Sequence, residues 1–397
     1  MEAIKKRAQE IEETIIKWRR HLHQYPERSF QEKETSAFVK KQLEQIPGME
    51  VRQSTHGYGV IGTLTNGTGP TIALRADMDA LPIEEEANVS FSSQHPGVMH
   101  ACGHDAHTAI LLGAATLLSE QFKNESILGT VRFVFQPAEE ATDEYNKSGG
   151  TYLIEEGVYD EVDLALALHM CPWLTPDAIQ VHKGPSMGSL DVFKGTIKGT
   201  GGHGAYPHLG KDPVWLLSQV LPALYSLQGR LVSPLESAVL SIGIIQGGAA
   251  NNVIPSEVYV EGTLRCYTAS TRAYLLKEIK NAFSLANVFG GEGFCMIEPG
   301  EPPLLNDHDV VDLVVQTAMQ LYPDDTIIDE PFGMGSEDFA YTAEKTKAAM
   351  FFLGCQPAHG QFDLHTPLFQ IDESCLQKGA SMMAAAAIAA LNRGNEM

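Results

Sequence analysis

Apolar residues at Ile4, Ile11, Ile15, Trp18 and Leu22 recur at helical spacing, so the chain opens on an amphipathic helix that Pro26 ends. A second helix is predicted over 33–45, stopping before Pro47-Gly48. The period then changes. Short apolar runs at 59–64 and 71–75 predict strands, and 130–136 and 163–168 are continuous enough for strands buried on both faces. The Ala- and Leu-rich stretch 106–118 and the stretch 149–156 read as helices between them. This alternation implies an α/β fold: a mostly parallel sheet with helices on both faces.

Near Gly184-Pro185 the pattern turns into alternating strands (190–200, 237–246, 257–267) with two long helices (212–227, 271–286). Two βαβ-like units in so short a span imply an inserted α+β domain. After Pro302-Pro303 a helix (309–321), a loop (333–339), an apolar strand (349–353) and an Ala-rich closing helix (372–391) resume the first pattern. The expected organisation is a main domain in two segments, 1–186 and 301–397, interrupted by an α+β domain over 187–300. A chain of 397 residues is also too long for one ordinary core.

Charge narrows the partners. A formal net charge of -22 argues against nucleic acid and anionic membrane surfaces, both of which attract basic proteins. No run of about 18 apolar residues is present, and Met382 to Leu391 is too short to span a bilayer. The six cysteines, at 102, 171, 266, 295, 355 and 375, include no CxxC and suggest no disulfide framework. With an N-terminus that passes straight into a charged helix, they point to reduced thiols in a cytoplasm.

The densest chemistry is His100-Ala101-Cys102-Gly103-His104-Asp105-Ala106-His107-Thr108, which sets one thiol, three imidazoles and a carboxylate before a buried helix. Thiolate and imidazole at this density suit zinc or a similar first-row metal. Two carboxylates, Asp77 and Asp79, follow the 71–75 strand. Pro137-Ala138-Glu139-Glu140 follows the 130–136 strand, and His169 follows the next. Carboxyl ends of parallel strands are where α/β folds gather their sites. The glycine-rich Gly199-Thr200-Gly201-Gly202-His203-Gly204 lacks GxxxxGK[ST] and precedes no helix, so it is not a phosphate loop.

These motifs carry a resemblance. Arg75-Ala76-Asp77-Met78-Asp79-Ala80-Leu81-Pro82, Met99 through His107, Gln136-Pro137-Ala138-Glu139-Glu140 and Gly201-Gly202-His203-Gly204-Ala205, in this order, resemble the aminoacylase/carboxypeptidase metallopeptidases, peptidase family M20. More narrowly they look like its amidohydrolase branch of aminoacylases, hippurate hydrolases and auxin-conjugate hydrolases. The resemblance implies two divalent metal ions, zinc or manganese, held by Cys102, His104, Glu140, His169 and His365. It implies Glu139 as general base and His203, from an inserted lid and dimerisation domain, as the residue that polarises the scissile carbonyl. Asn252 and Arg265 fall near substrate-binding positions. Other branches use a metal-binding His-x-Asp where this chain has Asp77-Met78-Asp79, so Asp77 and Asp79 become orienting residues and the bridging ligand is left open. His100, His107 and His359 read as orienting or structural, and His208 as surface.

The expected activity is hydrolysis of an N-acyl amino acid to a carboxylate and a free amino acid by a homodimer. A metallo-dipeptidase and a metal-binding oligomer without turnover are the alternatives. Glu139 weighs against the last, because a mere metal site needs no base beside a ligand.

Overall fold

The computed structural model describes residues 1–123 and 127–396, in two compact units. The first comprises Met1–Gly184, Leu305–Phe332 and the chain from Tyr341 onward; the second comprises Pro185–Leu304 with Gly333–Ala340.

The first unit is built on an eight-stranded mixed sheet. Its strands run in the order Glu50–Gln53, Val60–Asn66, Gly129–Gln136, Thr71–Asp77, Leu164–Cys171, Lys347–Gly354, Ala178–Gln180, Thr326–Ile328. The central four are parallel. Asp77 pairs in register with Gln136, and His169 with Phe352, so the chain leaves these strands at one level of one sheet end. The apolar runs explain the burial: Ile72, Leu74, Val131, Phe133, Leu166, Leu168, Phe351 and Leu353 share one core cluster with the helices.

Two helices, His104–Gln121 and Cys375–Glu396, pack unusually closely. A Cβ at Gly113 would lie 2.8 Å from Ile15 and 2.9 Å from Ala380, and one at Gly379 would lie 2.8 Å from Ile110. Glycine and alanine at the crossing let the backbones approach, which is why the closing helix is Ala-rich. The single opening helix expected from the periodicity is two helices, Glu2–Glu10 and Glu12–Gln24. Ile11 leaves helical geometry (φ -100°, ψ 4°) yet stays buried, so the apolar face runs on through the break.

The second unit is a four-stranded antiparallel sheet in the order Ala238–Gln246, Glu257–Cys266, Asp191–Lys198, Glu292–Pro299. With helices Pro213–Leu231 and Ala269–Phe283 inserted after the first and third strands in chain order, this is the split βαβ arrangement. Asp212 caps the first helix by accepting from Val214 N (2.9 Å), and Thr268 caps the second. Phe193, Ile197, Val260 and Leu264 on the sheet meet Leu216, Val220, Ile279 and Phe283 on the helices. The periodicity misses the strand Glu292–Pro299, because glycines dilute its apolar signal. A Cβ at Gly293 would lie 1.9 Å from the Phe283 carbonyl, so the strand runs directly beneath the end of the second helix. At the sheet's other edge, Val239, Ile244 and Ile245 are 38%, 39% and 52% exposed. Among the described residues no helix is long and apolar enough to cross a membrane.

Candidate active site

The site in the first unit grows from the carboxyl ends of its parallel strands. Gly103 adopts a left-handed backbone (φ +91°), and the helix begins at His104. A Cβ at 103 would lie 2.8 Å from the Met170 side chain, so only glycine can turn there. This turn sets Cys102 and His104 side by side. His365 also lies in the left-handed region (φ +60°), anchored by its amide donating to the Ala101 carbonyl at 2.8 Å. A strained non-glycine backbone recurs at functional sites.

Two overlapping donor groups result, Cys102–His104–His169 and Cys102–Glu140–His365, each with its ligand atoms within 4.8 Å of one another. Cys102 Sγ lies 3.4 Å from His169 Nε2 and 3.3 Å from His365 Nε2. Glu140 Oε1 lies 3.4 Å from His365 Nε2 and 3.7 Å from His104 Nε2. The structure thus brings together all five residues expected to hold metal. Their chemistry fits a cation. His104 Nε2 and Glu140 Oε1 are buried and make no hydrogen bond among the described residues. Burial, then Glu140, Glu139 and Asp77, push the Cys102 thiol well above its ordinary range. Burial works to lower His104, but Asp77, Asp79 and Glu140 outweigh it and raise the imidazole to about 10. A proton held so tightly stands where a metal cation would sit, and metal binding releases it.

The surrounding residues fix which atoms point inward. His169 Nδ1 donates to the Met170 carbonyl at 2.8 Å, leaving the Nε2 lone pair toward Cys102. Asp79 Oδ1 lies 3.3 Å from His104 Nδ1, while its Oδ2 accepts from the Glu140 amide at 3.0 Å. Asp77 Oδ2 accepts from the fully buried Arg75 at 2.7 Å. His107 is held at both nitrogens, Nδ1 2.6 Å from Asp77 Oδ1 and Nε2 accepting from the Met170 amide at 2.9 Å. It therefore supports the strand ends and offers no lone pair to a metal.

Behind this lies a buried ionic network absent from the sequence reading. Asp105, next to His104, accepts from Arg19 Nε at 2.7 Å and lies 2.8 Å from His23 Nδ1. Burial would raise the Asp105 pKa, but Arg19 and then His23 reverse this and hold it below the carboxylate range. A carboxylate depressed on folding contributes stability that is present above its unfolded pKa, about 4, and is lost as pH falls through its folded value. Arg19→Met leaves the buried carboxylate with His23 as its charged partner, so the loss is expected to fall at or below the roughly 3–5 kcal/mol that removing one partner of a buried pair costs. Urea unfolding at pH 7 is expected to show that loss, and titration below about pH 4 a smaller further decline than in the wild type.

Two more residues escaped the sequence reading. Ser29 Oγ donates to Asp79 Oδ2 at 2.6 Å, and Glu32 Oε1 accepts from the Ala138 amide at 2.7 Å. Burial, then Asp79, push the Glu32 carboxyl up to about 8.

His203, Asn252 and Arg265 belong to the second unit. There His203 pairs with Val253 in a short two-stranded ribbon, and the Gly204 amide donates to the Asn252 carbonyl at 2.8 Å, so His203 and Asn252 share one exposed edge. Arg265, on the strand Glu257–Cys266, donates from Nη1 to the Met334 carbonyl at 3.0 Å.

A Cys–His–carboxylate cluster at the carboxyl ends of parallel strands, with a second carboxylate beside a ligand, is the apparatus of an α/β metallohydrolase. The chain belongs to peptidase family M20/M25/M40, whose model matches residues 73–389. It is 41% identical over 379 residues to the N-acetyl-L-cysteine deacetylase of Bacillus subtilis (strain 168), covering 93% of this chain and 86% of that one. It is 41% identical over 271 residues to the N-acyl-L-amino acid amidohydrolase of Geobacillus stearothermophilus, covering 68% of this chain and 72% of that one. Among solved structures, the Bacillus subtilis YXEP protein, described as a dinuclear metal binding peptidase from the M20 family, superposes with a TM-score of 0.84 at 32% identity, covering 97% of this chain and 99% of that one.

Proposed function

We propose that this chain is a metal-dependent amidohydrolase that cleaves N-acyl amino acids to a carboxylate and a free amino acid. The observation that carries the reading is Glu139, whose carboxylate lies within 4.8 Å of the His104 and Glu140 ligand atoms, next to two donor groups that share Cys102. Cys102, His104 and His169 would supply donors for one divalent ion, and Cys102, Glu140 and His365 donors for a second. When bound, such ions lower the pKa of water from about 15.7 to about 7 and polarise the substrate carbonyl. The thiolate favours zinc, and the carboxylate and imidazoles also accept manganese.

The chain's own groups do the rest. A Glu139 carboxylate oxygen takes the proton of the attacking water and delivers it to the leaving amine nitrogen. Asp77 and Asp79 hold the ligand side chains, and His203 stabilises the developing oxyanion. Asn252 and Arg265 bind the substrate from the lid. Release of free amino acid from a panel of N-acetyl and N-benzoyl amino acids and dipeptides, with added zinc or manganese, tests the reading. Turnover confined to dipeptides would favour a metallo-dipeptidase, and none on any substrate a metal-binding oligomer.

The second unit serves as lid and dimerisation domain in a cytoplasmic homodimer. The exposed apolar edge at Val239, Ile244 and Ile245 supports a two-fold pairing of strands Ala238–Gln246. His203 then works in the neighbouring active site. Mixing inactive Glu139→Gln and His203→Ala chains and allowing exchange makes half the dimers mixed, each with one whole site. Activity is expected to return to roughly a quarter of the wild type. No recovery, with exchange confirmed separately, overturns the trans assignment.

A further inference from the structure

Between the helices Glu12–Gln24 and Lys33–Leu43 the chain passes beneath both carboxylate-bearing turns of the first unit. The Glu27 carbonyl accepts from the Ala80 amide at 2.8 Å, and Arg28 and Ala80 form a parallel bridge. Ser29 holds Asp79 at 2.6 Å. Glu32 reaches further, to the Ala138 amide at 2.7 Å, 106 residues away in sequence.

That contact falls on an unusual residue. Ala138 lies at φ +49°, a left-handed conformation alanine seldom adopts, and the next residue is Glu139. Its carbonyl accepts from the Gly149 amide at 2.8 Å. A Cβ at Gly149 would lie 1.7 Å from the Pro137 carbonyl oxygen, so the far side of the turn is closed by backbone. Ala138 is thus held at both its amide and its carbonyl, through the two peptides that flank it. Glu32 itself is fully buried, and its Oε2 makes no hydrogen bond among the described residues. A carboxyl group is a costly filler for such a place, where an apolar side chain would pack without desolvation. An apolar side chain would, however, leave the Ala138 amide unpaired and the left-handed turn without its anchor.

We infer that Glu32 is a positioning residue for the catalytic base: its carboxyl oxygen pins the Ala138 amide in the left-handed turn and so fixes where the Glu139 carboxylate points. The role rests on Glu139 being the base. It requires an acceptor oxygen at the end of a glutamate-length side chain. Glutamine supplies one, aspartate falls a methylene short, and alanine supplies none.

The experiment compares Glu32→Ala, Glu32→Asp and Glu32→Gln with the wild type, reading kcat, KM, bound metal and hydrogen exchange at the Ala138 amide. In the alanine and aspartate variants kcat is expected to fall about 10–100-fold, with KM within about threefold and metal content kept. Glu32→Gln recovers at least about tenfold of that loss. Exchange at Ala138, which needs no turnover, speeds up about tenfold or more in the first two variants and returns toward wild type in the third. Wild-type exchange at Ala138 in the alanine variant overturns the proposal. So does a loss of kcat that glutamine fails to rescue, or one matched by loss of metal. If the alanine variant does not fold, aspartate decides: wild-type kcat and exchange there overturn the pinning. A wild type inactive on every amide, with the exchange pattern as expected, sinks the functional reading and leaves the pinned turn standing.

Discussion

Glu139→Gln is expected to lower kcat about 10²–10⁴-fold while the protein keeps its full complement of metal. The amide is isosteric with the carboxylate, so the turn after Gln136 and the Ala138 peptide need not move. What it removes is a base: it cannot take a proton from water or pass one to the leaving nitrogen. Metal is expected to be kept because Cys102, His104, His169, Glu140 and His365 supply donors without Glu139, although its carboxylate also lies near His104 and Glu140. Glu140→Gln is expected to do the opposite. Its Oε1 is the atom near both His365 and His104, and a neutral amide there weakens cation binding. Metal analysis beside steady-state kinetics separates the two, and the reverse pattern would exchange the roles of the neighbours.

Cys102→Ser should have a comparably large effect on occupancy. Sγ lies within 3.4 Å of His169 and of His365, so one atom belongs to both halves of the cluster. Changes to residues that merely orient ligands cost about 10–100-fold in metal affinity, and loss of a shared thiolate should exceed that. Both ions should weaken together. Competition with a chelator, followed by counting bound metal, is the measurement; loss of one ion with the second retained would remove Cys102 from the shared position. Wild-type content and activity would remove it from the site.

Much of this site could be read from the chain because its chemistry is local. Cys102 and His104 stand two apart, Glu139 and Glu140 are adjacent, and each pair follows an element with a strong period. His107 shows the limit of that local view. It lies among ligand-type residues at ligand-like spacing, yet Asp77 and the Met170 amide occupy both its nitrogens. Only the strand order, which sets Thr71–Asp77 between Gly129–Gln136 and Leu164–Cys171, determines that outcome. The role of Glu32 and the ion-pair partner of Asp105 were hidden for the same reason: the partners lie 106 and 86 residues away. In the second unit, Gly291 and Gly293 hid a strand: a Cβ at 293 would meet the Phe283 carbonyl at the end of one helix, and one at 291 would meet Leu216 on the other. Periodicity reports what a segment buries, not what approaches its backbone.

The order of segments in the large sheet carries a consequence for synthesis. Lys347–Gly354 sits between Leu164–Cys171 and Ala178–Gln180, near the middle of the sheet, but is made 183 residues after Cys171 (354 − 171). At about 5–20 residues per second, a ribosome leaves the edge of Leu164–Cys171 uncovered for roughly 10–40 s. The intervening Pro185–Leu304 brings every strand of its own sheet and finishes while its host waits. His365 emerges after that wait, so the Cys102–Glu140–His365 group assembles only after the central strand has arrived. The open edge during that interval is the chain's period of greatest exposure to misassembly, and His365 arrives only as it closes.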